Sequence, residues 1–582
     1  MHDAGATGNS LAVKALLSQF MVYGKALCIT IALIYIPFNA HAYQDRGRSM
    51  VISSGGIVAT EQPLASQAGA QILAQGGNAI GAAIAANACM GVVSPMQCGM
   101  GGDLFAIVYE AKTGKLYGLN ASGWSPAALD ARYLRGHGFT NMPSAGPHVI
   151  TVPGCVSGWD HLQKKFARKK LSELLAPAIA LAENGFPVSE IIGGYWTSAN
   201  DVKRLRAEPS SASVFLPNDR PPKVGEVFRN PNVAWSLREV ARQGARAFYN
   251  GSIGARVIPY LQSKGGLHTK QDFAQYNAEW VTPISTTYRG WTVYELPPNG
   301  QGIAALEMLN LMEKFPLREW GQNSANALHA MIEAKKLAYA DMLHYMGDPR
   351  FGKLPIAEML SKDHAARRTK LIDAARANCD VPPTTGFNPG PDTTYLCTVD
   401  KEGNMVSLIQ SDYNSFGSAL VAPGTGFVLH DRGALFTLEA NHPNVLAGHK
   451  RPIHTIIPAF MEHGQTRIAF GIMGGWNQSQ AHAQFVADIV DFDLNIQKAL
   501  EAPRFTKITF EGCDVRVENR FPMTVLDDLK SRGHQLQVGQ PFESAMGCGQ
   551  AVLRDFATGV NFGASDPRKD GAAIPEPPFI RR

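Results

Sequence analysis

The feature that most constrains the fold is a change in hydrophobic pattern near residue 393. Before it, the segments 58–92, 303–315 and 324–346 place apolar and small residues at helical spacing, which predicts helices. After it, residues 393–470 alternate apolar and polar side chains over short runs broken by Gly, Asn and Pro, which is typical of strands. This order predicts a mixed α/β (α+β) protein in which helices cover a largely antiparallel sheet.

The composition excludes several classes of protein. Of 582 residues, 45% are hydrophobic and 18% are charged, and 54 basic against 49 acidic residues leave a net charge of +5. A disordered chain needs fewer apolar residues and more net charge, and a nucleic-acid-binding protein needs clustered basic residues. Eight cysteines are too few for a disulfide scaffold, and they show no zinc-site spacing. Cys89 and Cys98 leave two interpretations open, a disulfide or buried free thiols.

The N-terminus has the pattern of an export signal. Lys14 and Lys25 precede an apolar run over 26–38, which is followed by Ala40-His41-Ala42. A basic region, a short apolar region and an A-x-A site make up a secretory signal peptide, whereas a membrane-spanning helix needs about 20 apolar residues. We therefore predict a signal peptide over 1–42, cleavage near Ala42, and a periplasmic or secreted protein without a membrane anchor.

The chain lacks the sequence motifs of several enzyme classes but places two threonines where a nucleophile would fit. It contains no G-x-S-x-G elbow, H-E-x-x-H motif, Walker loop or dinucleotide-binding glycine motif. Thr393-Thr394 stands between a loop rich in Pro, Thr and Gly and a predicted strand. If the chain were cut before Thr393, the freed α-amine would supply the base that a Thr hydroxyl needs. Threonine is common in strands, so the pair alone is weak evidence.

Eight further motifs, in order along the chain, carry a resemblance to a known family. They are 76–80 (GGNAI), 99–103 (GMGGD), 151–154 (TVPG), 297–302 (PPNGQG), 450–452 (KRP), 474–475 (GG), 502–505 (APRF) and 563–568 (GASDPR). With the Thr pair, they make the chain similar to the γ-glutamyltransferase family of N-terminal-nucleophile hydrolases, from about Gly55 to Asp566.

The resemblance implies a four-layer αββα sandwich and self-cleavage between Asp392 and Thr393. The products would be a large subunit, 43–392, and a small subunit, 393–582, which form a heterodimer. It also implies that Thr393 is the nucleophile, that Ser411 supplies a second hydroxyl, and that Gly474 and Gly475 stabilise the oxyanion. The expected substrate is a small-molecule amide, and no metal or organic cofactor is expected.

The sequence departs from the family pattern where the γ-glutamyl group would bind. Ser122 stands in the place of the Arg that meets the substrate carboxylate, and Leu435 in the place of the Asp that meets its ammonium group. Tyr413 replaces an Asn, and His454 and Thr455 replace paired serines. A lost buried charge pairing costs several kcal/mol of ligand binding, so we expect altered substrate recognition.

Arg432 suggests what the altered pocket binds. It follows His430-Asp431, and a guanidinium suits bidentate binding of a carboxylate. We therefore hypothesise an acyl group with a terminal carboxylate but no α-ammonium, such as a glutaryl or oxamate-like group, with Trp124 and Tyr413 as pocket walls. A solvated or structural, salt-bridging Arg432 is the alternative interpretation.

Three functions follow from these observations. The family default is cleavage of a γ-glutamyl or glutathione-type amide through an acyl-threonine intermediate, with the acyl group passed to water or an amine. The alternative is a specialised amidohydrolase that resembles the cephalosporin acylases or oxamate amidohydrolase. A third class is an exported binding protein that has lost catalysis; the presence of Thr393, Ser411 and both glycines disfavours it.

Overall fold

Two seven-stranded sheets lie at the centre of the structure, a computed structural model that describes residues 47–380, 392–507 and 509–578. The residues from Met50 onward form one unit. The strands are β1 Val51–Ser53, β2 Ile57–Thr60, β3 Asp103–Glu110, β4 Lys115–Ala121, β5 Phe186–Pro187, β6 Val227–Phe228, β7 Glu279–Val281, β8 Ile284–Tyr288, β9 Trp291–Glu295, β10 Asp392–Val399, β11 Met405–Tyr413, β12 Ala459–His463, β13 Thr466–Ile472, β14 Phe505–Thr506, β15 Asp514–Glu518, β16 Gln535–Gly539, β17 Gly549–Asp555, β18 Val560–Ser565 and β19 Ala572–Pro575. The signal-peptide prediction, 1–42, falls on residues outside the described part.

Both large sheets are antiparallel throughout. The first has the strand order β1-β18-β17-β13-β12-β9-β8, and the second has the order β19-β2-β10-β11-β3-β4-β7. Every neighbouring pair in each sheet runs antiparallel. The strand β10, which begins at Asp392, therefore lies inside the second sheet, between β2 and β11.

Helices cover the outer faces of the two sheets. The α-helices are Pro63–Ala74, Ala79–Val93, Ala131–Gly136, Cys155–Phe166, Leu171–Leu174, Ala176–Asn184, Glu190–Trp196, Ala199–Arg206, Pro209–Phe215, Pro231–Gln243, Arg246–Tyr249, Gly254–Ser263, Lys270–Ala274, Gly302–Met312, Leu317–Trp320, Ala325–Tyr345, Ile356–Met359, Lys362–Thr369, Gln478–Val490, Ile496–Glu501 and Met523–Ser531. Among these described helices, none has both the length and the apolar content needed to cross a membrane.

Three apolar clusters hold the four layers together. The middle cluster lies between the sheets and contains Phe105, Tyr395 and Phe460. Leu396 belongs instead to the cluster under the helices of the second sheet, because successive side chains of a strand point to opposite faces. A third cluster joins the first sheet to its own helices. The αββα sandwich implied by the family resemblance is confirmed.

The prediction of strands throughout 393–470 is wrong for 414–458. No named strand occurs in that segment, which the structure describes completely. Left-handed backbone angles at Phe416, Ala419 and His449 interrupt it, and such angles break the regular ladder of a strand. The segment instead contributes several of the predicted site residues, namely Arg432, Leu435, His454 and Thr455.

The structure decides between the two interpretations left open for Cys89 and Cys98 and contains a disulfide that the sequence did not predict. Cys89 and Cys98 are buried free thiols. Cys379 and Cys513 form a disulfide, with a Cα–Cα distance of 5.0 Å across a sequence separation of 134. Such a separation carries no local sequence signal, because only the tertiary fold brings the two residues together.

Candidate active site

Thr393 lies at an irregularity in the centre of the second sheet. Asp392 pairs with Tyr413 and Thr394 with Gln410, and the register shifts between them. Ser411 and Asp412 therefore stand opposite the single residue Thr393, as in a β-bulge, which redirects side chains. Thr393 is 1% exposed, and its hydroxyl donates to the Ser411 hydroxyl oxygen at 3.3 Å. Two of the predicted catalytic side chains thus meet directly.

The strand β11 turns sharply just after this pair. The Tyr413 backbone N–H donates to the Ser411 Oγ at 2.8 Å, and Tyr413 has a φ of 78°. An aromatic residue rarely adopts positive φ, and such strain occurs where the surroundings fix it. The Tyr413 ring lies under the guanidinium of Arg432, with its centroid 4.6 Å from Cζ. The turn therefore connects the Thr393–Ser411 pair with Arg432.

Arg432 is fully buried and has unused donors. Its Nη1 donates to the Thr455 hydroxyl at 2.6 Å, whereas Nε and Nη2 have no hydrogen-bond partner among the described residues. Burial lowers its pKa to about 10, so the side chain remains a cation at neutral pH. Because Arg432 is fully buried, the solvated interpretation is wrong, whereas the structural one stays a prediction, with the charges of Asp103, Asp412 and Asp431 close enough to act on it. A buried guanidinium with free N–H groups is also suited to an anionic ligand.

Ser122 and His454 belong to a second hydrogen-bonded network, which also includes Asn299 and Asp103. The Ser122 hydroxyl accepts from Asn299 Nδ2 at 3.1 Å, and the Asn299 carbonyl accepts from the His454 N–H at 2.8 Å. His454 Nε2 lies 3.0 Å from Asp103 Oδ2. Burial raises the pKa of Asp103 to about 7 and lowers that of His454 well below its usual range, so His454 is neutral at neutral pH.

Asp103 and Asn299 are site residues to which the sequence analysis gave no role. Both belong to motifs that carried the family resemblance, 99–103 and 297–302. Asp103 also accepts backbone N–H groups from Gly123 at 3.0 Å and Gly154 at 3.1 Å. An Asp directly after a run of glycines was the available signal, because glycines allow a backbone to approach a side chain closely.

Gln301 connects the glycine pair to this region. Its Nε2 donates to the carbonyl oxygen of Gly475 at 2.8 Å and also to that of Thr455. Gly474 and Gly475 have φ values of 129° and 58°, a region that L side chains rarely adopt.

Gly474 lines an open cavity of about 360 Å³. Its other lining residues include Tyr195, Ser198, Ser415 and Lys569. A cavity of this size accommodates a small molecule. A second cavity, of about 470 Å³, is lined by Glu110, Arg168 and Phe556, and none of the predicted site residues lines it.

Leu435 is buried beside this site and offers no polar atom. It closes the turn Arg432–Leu435 and packs in the same apolar cluster as Tyr413. Its backbone carbonyl accepts from Asn444 Nδ2 at 2.6 Å, which fixes the turn. The structure therefore places an apolar side chain at the position where the family pattern has an acid.

Trp124 does not form a pocket wall with Tyr413, and His430 supports the backbone at Arg432. The Trp124 ring stacks on His449 at 5.1 Å and meets Tyr276 edge-on at 5.2 Å, so the structure does not bring it together with Tyr413. His430 accepts the backbone N–H of Arg432 through Nδ1 at 3.1 Å, and burial lowers its pKa to about 3. His430 therefore acts as a neutral support for the Arg432 turn.

Two clusters of His and carboxylate side chains away from this site have ligand atoms close enough to hold a metal ion. They are His329, Glu333 and His534, and Glu307, Asp341 and His364. In the first, Lys336 already bonds Glu333 at 2.6 Å. In the second, Arg368 bonds Asp341 at 2.9 Å. An internal cation in each cluster opposes the binding of a metal cation.

Comparison with known proteins identifies the family. The family model described as gamma-glutamyltranspeptidase matches residues 65–576. The chain is 35% identical to the glutathione hydrolase-like YwrD proenzyme of Bacillus subtilis over 531 residues, which cover 90% of this chain and 99% of the relative. It is 32% identical to the oxamate amidohydrolase proenzyme of Klebsiella pneumoniae, over 90% of this chain and 98% of the relative.

A solved structure extends the comparison to three dimensions. The cephalosporin acylase from Bacillus halodurans superposes with a TM-score of 0.85 at 40% identity, covering 91% of this chain and 97% of that one. That structure shares the sandwich described above, and the two relatives from Bacillus subtilis and Klebsiella pneumoniae are named as proenzymes. The chain therefore belongs to the γ-glutamyltranspeptidase family and is a self-processing N-terminal-nucleophile enzyme that acts on amide bonds.

Proposed function

We propose that the chain cuts itself between Asp392 and Thr393 and that the freed Thr393 then cleaves a small-molecule amide. The observation that carries this proposal is the buried Thr393 hydroxyl, 3.3 Å from that of Ser411 at the start of a central strand. A rigid strand fixes the nucleophile, and a neighbouring hydroxyl holds it in one orientation. The subunits 43–392 and 393–582 would form the mature heterodimer.

Both reactions use the same oxygen. In self-cleavage, Thr393 Oγ attacks the carbonyl carbon of Asp392, the C–N bond breaks, and the hydroxyl proton passes to the nitrogen, which frees the α-amine of Thr393. Water then hydrolyses the resulting ester to the Asp392 carboxylate and the free Thr393 hydroxyl. That amine, with an unperturbed pKa near 8, then accepts the Oγ proton as Oγ attacks the substrate amide. The proton passes to the leaving amine, and water or a second amine takes the acyl group.

Gly474 and Gly475 are proposed as the oxyanion donors. Gln301 ties the Gly475 carbonyl to the Thr455 segment at 2.8 Å, and this anchorage supports a preorganised backbone. Removing one oxyanion donor typically costs roughly 3 kcal/mol of transition-state stabilisation. The cavity beside Gly474 would then receive the leaving amine.

For the acyl group, the site best supports a carboxylate without an α-ammonium, as in a glutaryl amide. Arg432 is buried with free Nε and Nη2 donors, and an anionic ligand would satisfy them. Leu435 supplies no acid for an ammonium group. The likeness to a cephalosporin acylase at 40% identity is consistent with this choice.

Cleavage of γ-glutamyl, glutathione-type amides is the second candidate. It is favoured by the 35% identity to a relative named glutathione hydrolase-like proenzyme over 99% of that relative. A γ-glutamyl group also presents a carboxylate to Arg432, so the two candidates differ only in how the ammonium is accommodated. They are therefore distinguished by comparing matched substrates.

The self-cleavage is tested by the masses and N-terminal sequences of the exported protein. Wild type should give two fragments, the larger beginning near Tyr43 and the smaller at Thr393. Thr393→Ala should give one uncut chain, because it lacks the attacking oxygen. A Thr394→Ser variant serves as a control and should still be cut. Cleavage of Thr393→Ala at the same bond would contradict the assignment of the nucleophile.

The substrate is tested with glutaryl and γ-glutamyl p-nitroanilides, which differ only in the ammonium group. Wild type should prefer the glutaryl compound, and Arg432→Ala should lower kcat/KM for it by roughly 100-fold, since a buried charge pair contributes about 2–5 kcal/mol. Arg318→Ala, at an exposed ion pair with Asp493, should leave kcat/KM unchanged. A wild-type preference for the γ-glutamyl compound would favour the second candidate.

A further inference from the structure

We infer that the Cys379–Cys513 disulfide joins the two mature subunits covalently. The inference rests on the proposed cut between Asp392 and Thr393. Cys379 precedes that bond and Cys513 follows it, and their sulfur atoms are bonded across a Cα–Cα distance of 5.0 Å. Cutting one peptide bond between two cross-linked residues leaves the two fragments connected through the cross-link.

Contacts other than the disulfide hold the Cys379 segment against the future small subunit. The Ala377 N–H donates to the Arg532 carbonyl at 2.8 Å, and Arg532 Nη1 donates to the Ala374 carbonyl at 3.1 Å. Within the small-subunit side of this contact, the Gln535 N–H donates to the Cys513 carbonyl at 2.8 Å. The backbones of both cysteines are therefore held close together by the fold, and the disulfide need not distort them.

Lys336, on the long helix Ala325–Tyr345, lies beside the disulfide. Its Nζ donates to the Asn378 carbonyl at 2.7 Å and lies 3.8 Å from Cys513 Sγ. A nearby ammonium favours the thiolate form of a cysteine, and the thiolate is the form that attacks a disulfide. Cys513 is buried, whereas Cys379 is exposed, so an oxidising partner can reach the pair from the Cys379 side.

Formation of the bond is a two-electron oxidation. Thiol–disulfide exchange with a disulfide donor, either an oxidoreductase in its disulfide form or glutathione disulfide, links the two sulfur atoms. The two thiols lose two electrons and two protons, and the donor takes them up to become a dithiol, in the oxidoreductase, or two glutathione thiols. Such donors act outside the reducing cytosol, which agrees with the export signal that the sequence predicts.

The linkage also limits how far the new carboxyl end of the large subunit can move from the small subunit. Residues 380–392 follow Cys379, and 13 extended residues reach at most roughly 45 Å. The carboxyl end created by self-cleavage therefore stays within roughly 45 Å of Cys379. Cys379 itself remains attached beside β15 of the small subunit, even when the non-covalent contacts of the segment open.

The inference is tested on the exported wild-type protein by denaturing electrophoresis after free thiols have been alkylated. With reductant, two bands should appear, which reports the cut itself. Without reductant, one band with the summed mass should appear. Cys513→Ser should give two bands under both conditions, and Cys89→Ser, which removes a buried free thiol, should behave like wild type.

Each other outcome has a definite meaning. Two bands without reductant in wild type would overturn the covalent linkage and leave the cut intact. One band with reductant would overturn the proposed cut and the inference together. If Cys513→Ser fails to fold, non-reducing peptide mapping of wild type decides: a joined Cys379–Cys513 peptide supports the inference, and two alkylated cysteines overturn it.

Discussion

Asp103 shows how burial of a single residue controls the stability of this site. Its pKa rises from an ordinary 3.8 to about 7, chiefly through burial. Between these values the unfolded chain loses the proton while the folded chain keeps it, so Asp103 makes the protein less stable as pH rises from about 4 to 7. A shift of about three pH units corresponds to a loss of up to about 4 kcal/mol. In uncut Thr393→Ala protein, Asp103→Asn should remove this part of the pH dependence of the unfolding free energy.

The measurement is urea unfolding at a series of pH values. Asp493→Asn is the control, because Arg318 holds the pKa of this exposed carboxyl below its usual range. Removing the Asp493 carboxyl should therefore not change how the unfolding free energy depends on pH between 4 and 7. Parallel curves for the Asp103→Asn variant and its parent from pH 4 to 7 would show that Asp103 titrates normally.

The helix Cys155–Phe166 depends on the absence of a side chain at Gly154. A Cβ on Gly154 would collide with the carbonyl oxygen of Ala121 at the end of β4. That oxygen belongs to the backbone and cannot move aside, so the helix would be displaced from the sheet. We expect Gly154→Ala to lower the unfolding free energy by about 2–3 kcal/mol, in the range of overpacked cores. It should also weaken the hydrogen bond that the Gly154 N–H donates to Asp103.

Gly136→Ala provides the matched comparison for that measurement. A Cβ at Gly136 has no heavy atom within 4 Å, and Ala is a better helix former than Gly by about 1 kcal/mol. Thermal and urea unfolding should therefore show Gly136→Ala at or slightly above the stability of its parent. Equal effects of the two substitutions would show that Gly154 is not tightly packed.

At the scale of the whole molecule, the proposed subunits are interleaved in both sheets. In the second sheet, β10 and β11 of the small subunit lie between β2 and β3 of the large one, and in the first sheet β12 pairs with β9 and β18 with β1. Separating the subunits would break backbone ladders in both sheets and expose their cores. We therefore expect the cut protein to elute as one species in native size-exclusion chromatography, even with reductant present.

The same column run in denaturant with reductant should resolve the two fragments. Elution of either fragment alone under native reducing conditions would show that the sheets do not hold the subunits together. This result would be independent of the disulfide, which is tested by denaturing electrophoresis.

Local patterns predicted helices, strands and several residues of the site, whereas the family resemblance implied the layers. Alternation of apolar and polar residues after residue 393 predicts strands, and apolar and small residues at helical spacing before it predict helices. The segment 414–458 was misread because alternation of polar and apolar residues does not reveal the positive φ angles that bend its backbone. The sequence also could not predict the contacts of Arg432 with Tyr413 and Thr455, because these residues lie on different segments of the chain.

The sequence by itself determined the family, because each of its motifs depends on residue type and spacing within one segment. The family resemblance in turn implied the sandwich and the placement of Thr393 at the start of a strand. Tertiary structure alone decided that Arg432 is buried with free donors, that Asp103 meets His454 across 351 residues, and that Cys379 is bonded to Cys513. Burial, pKa and cross-linking depend on which distant segments pack together, and no local pattern encodes that packing.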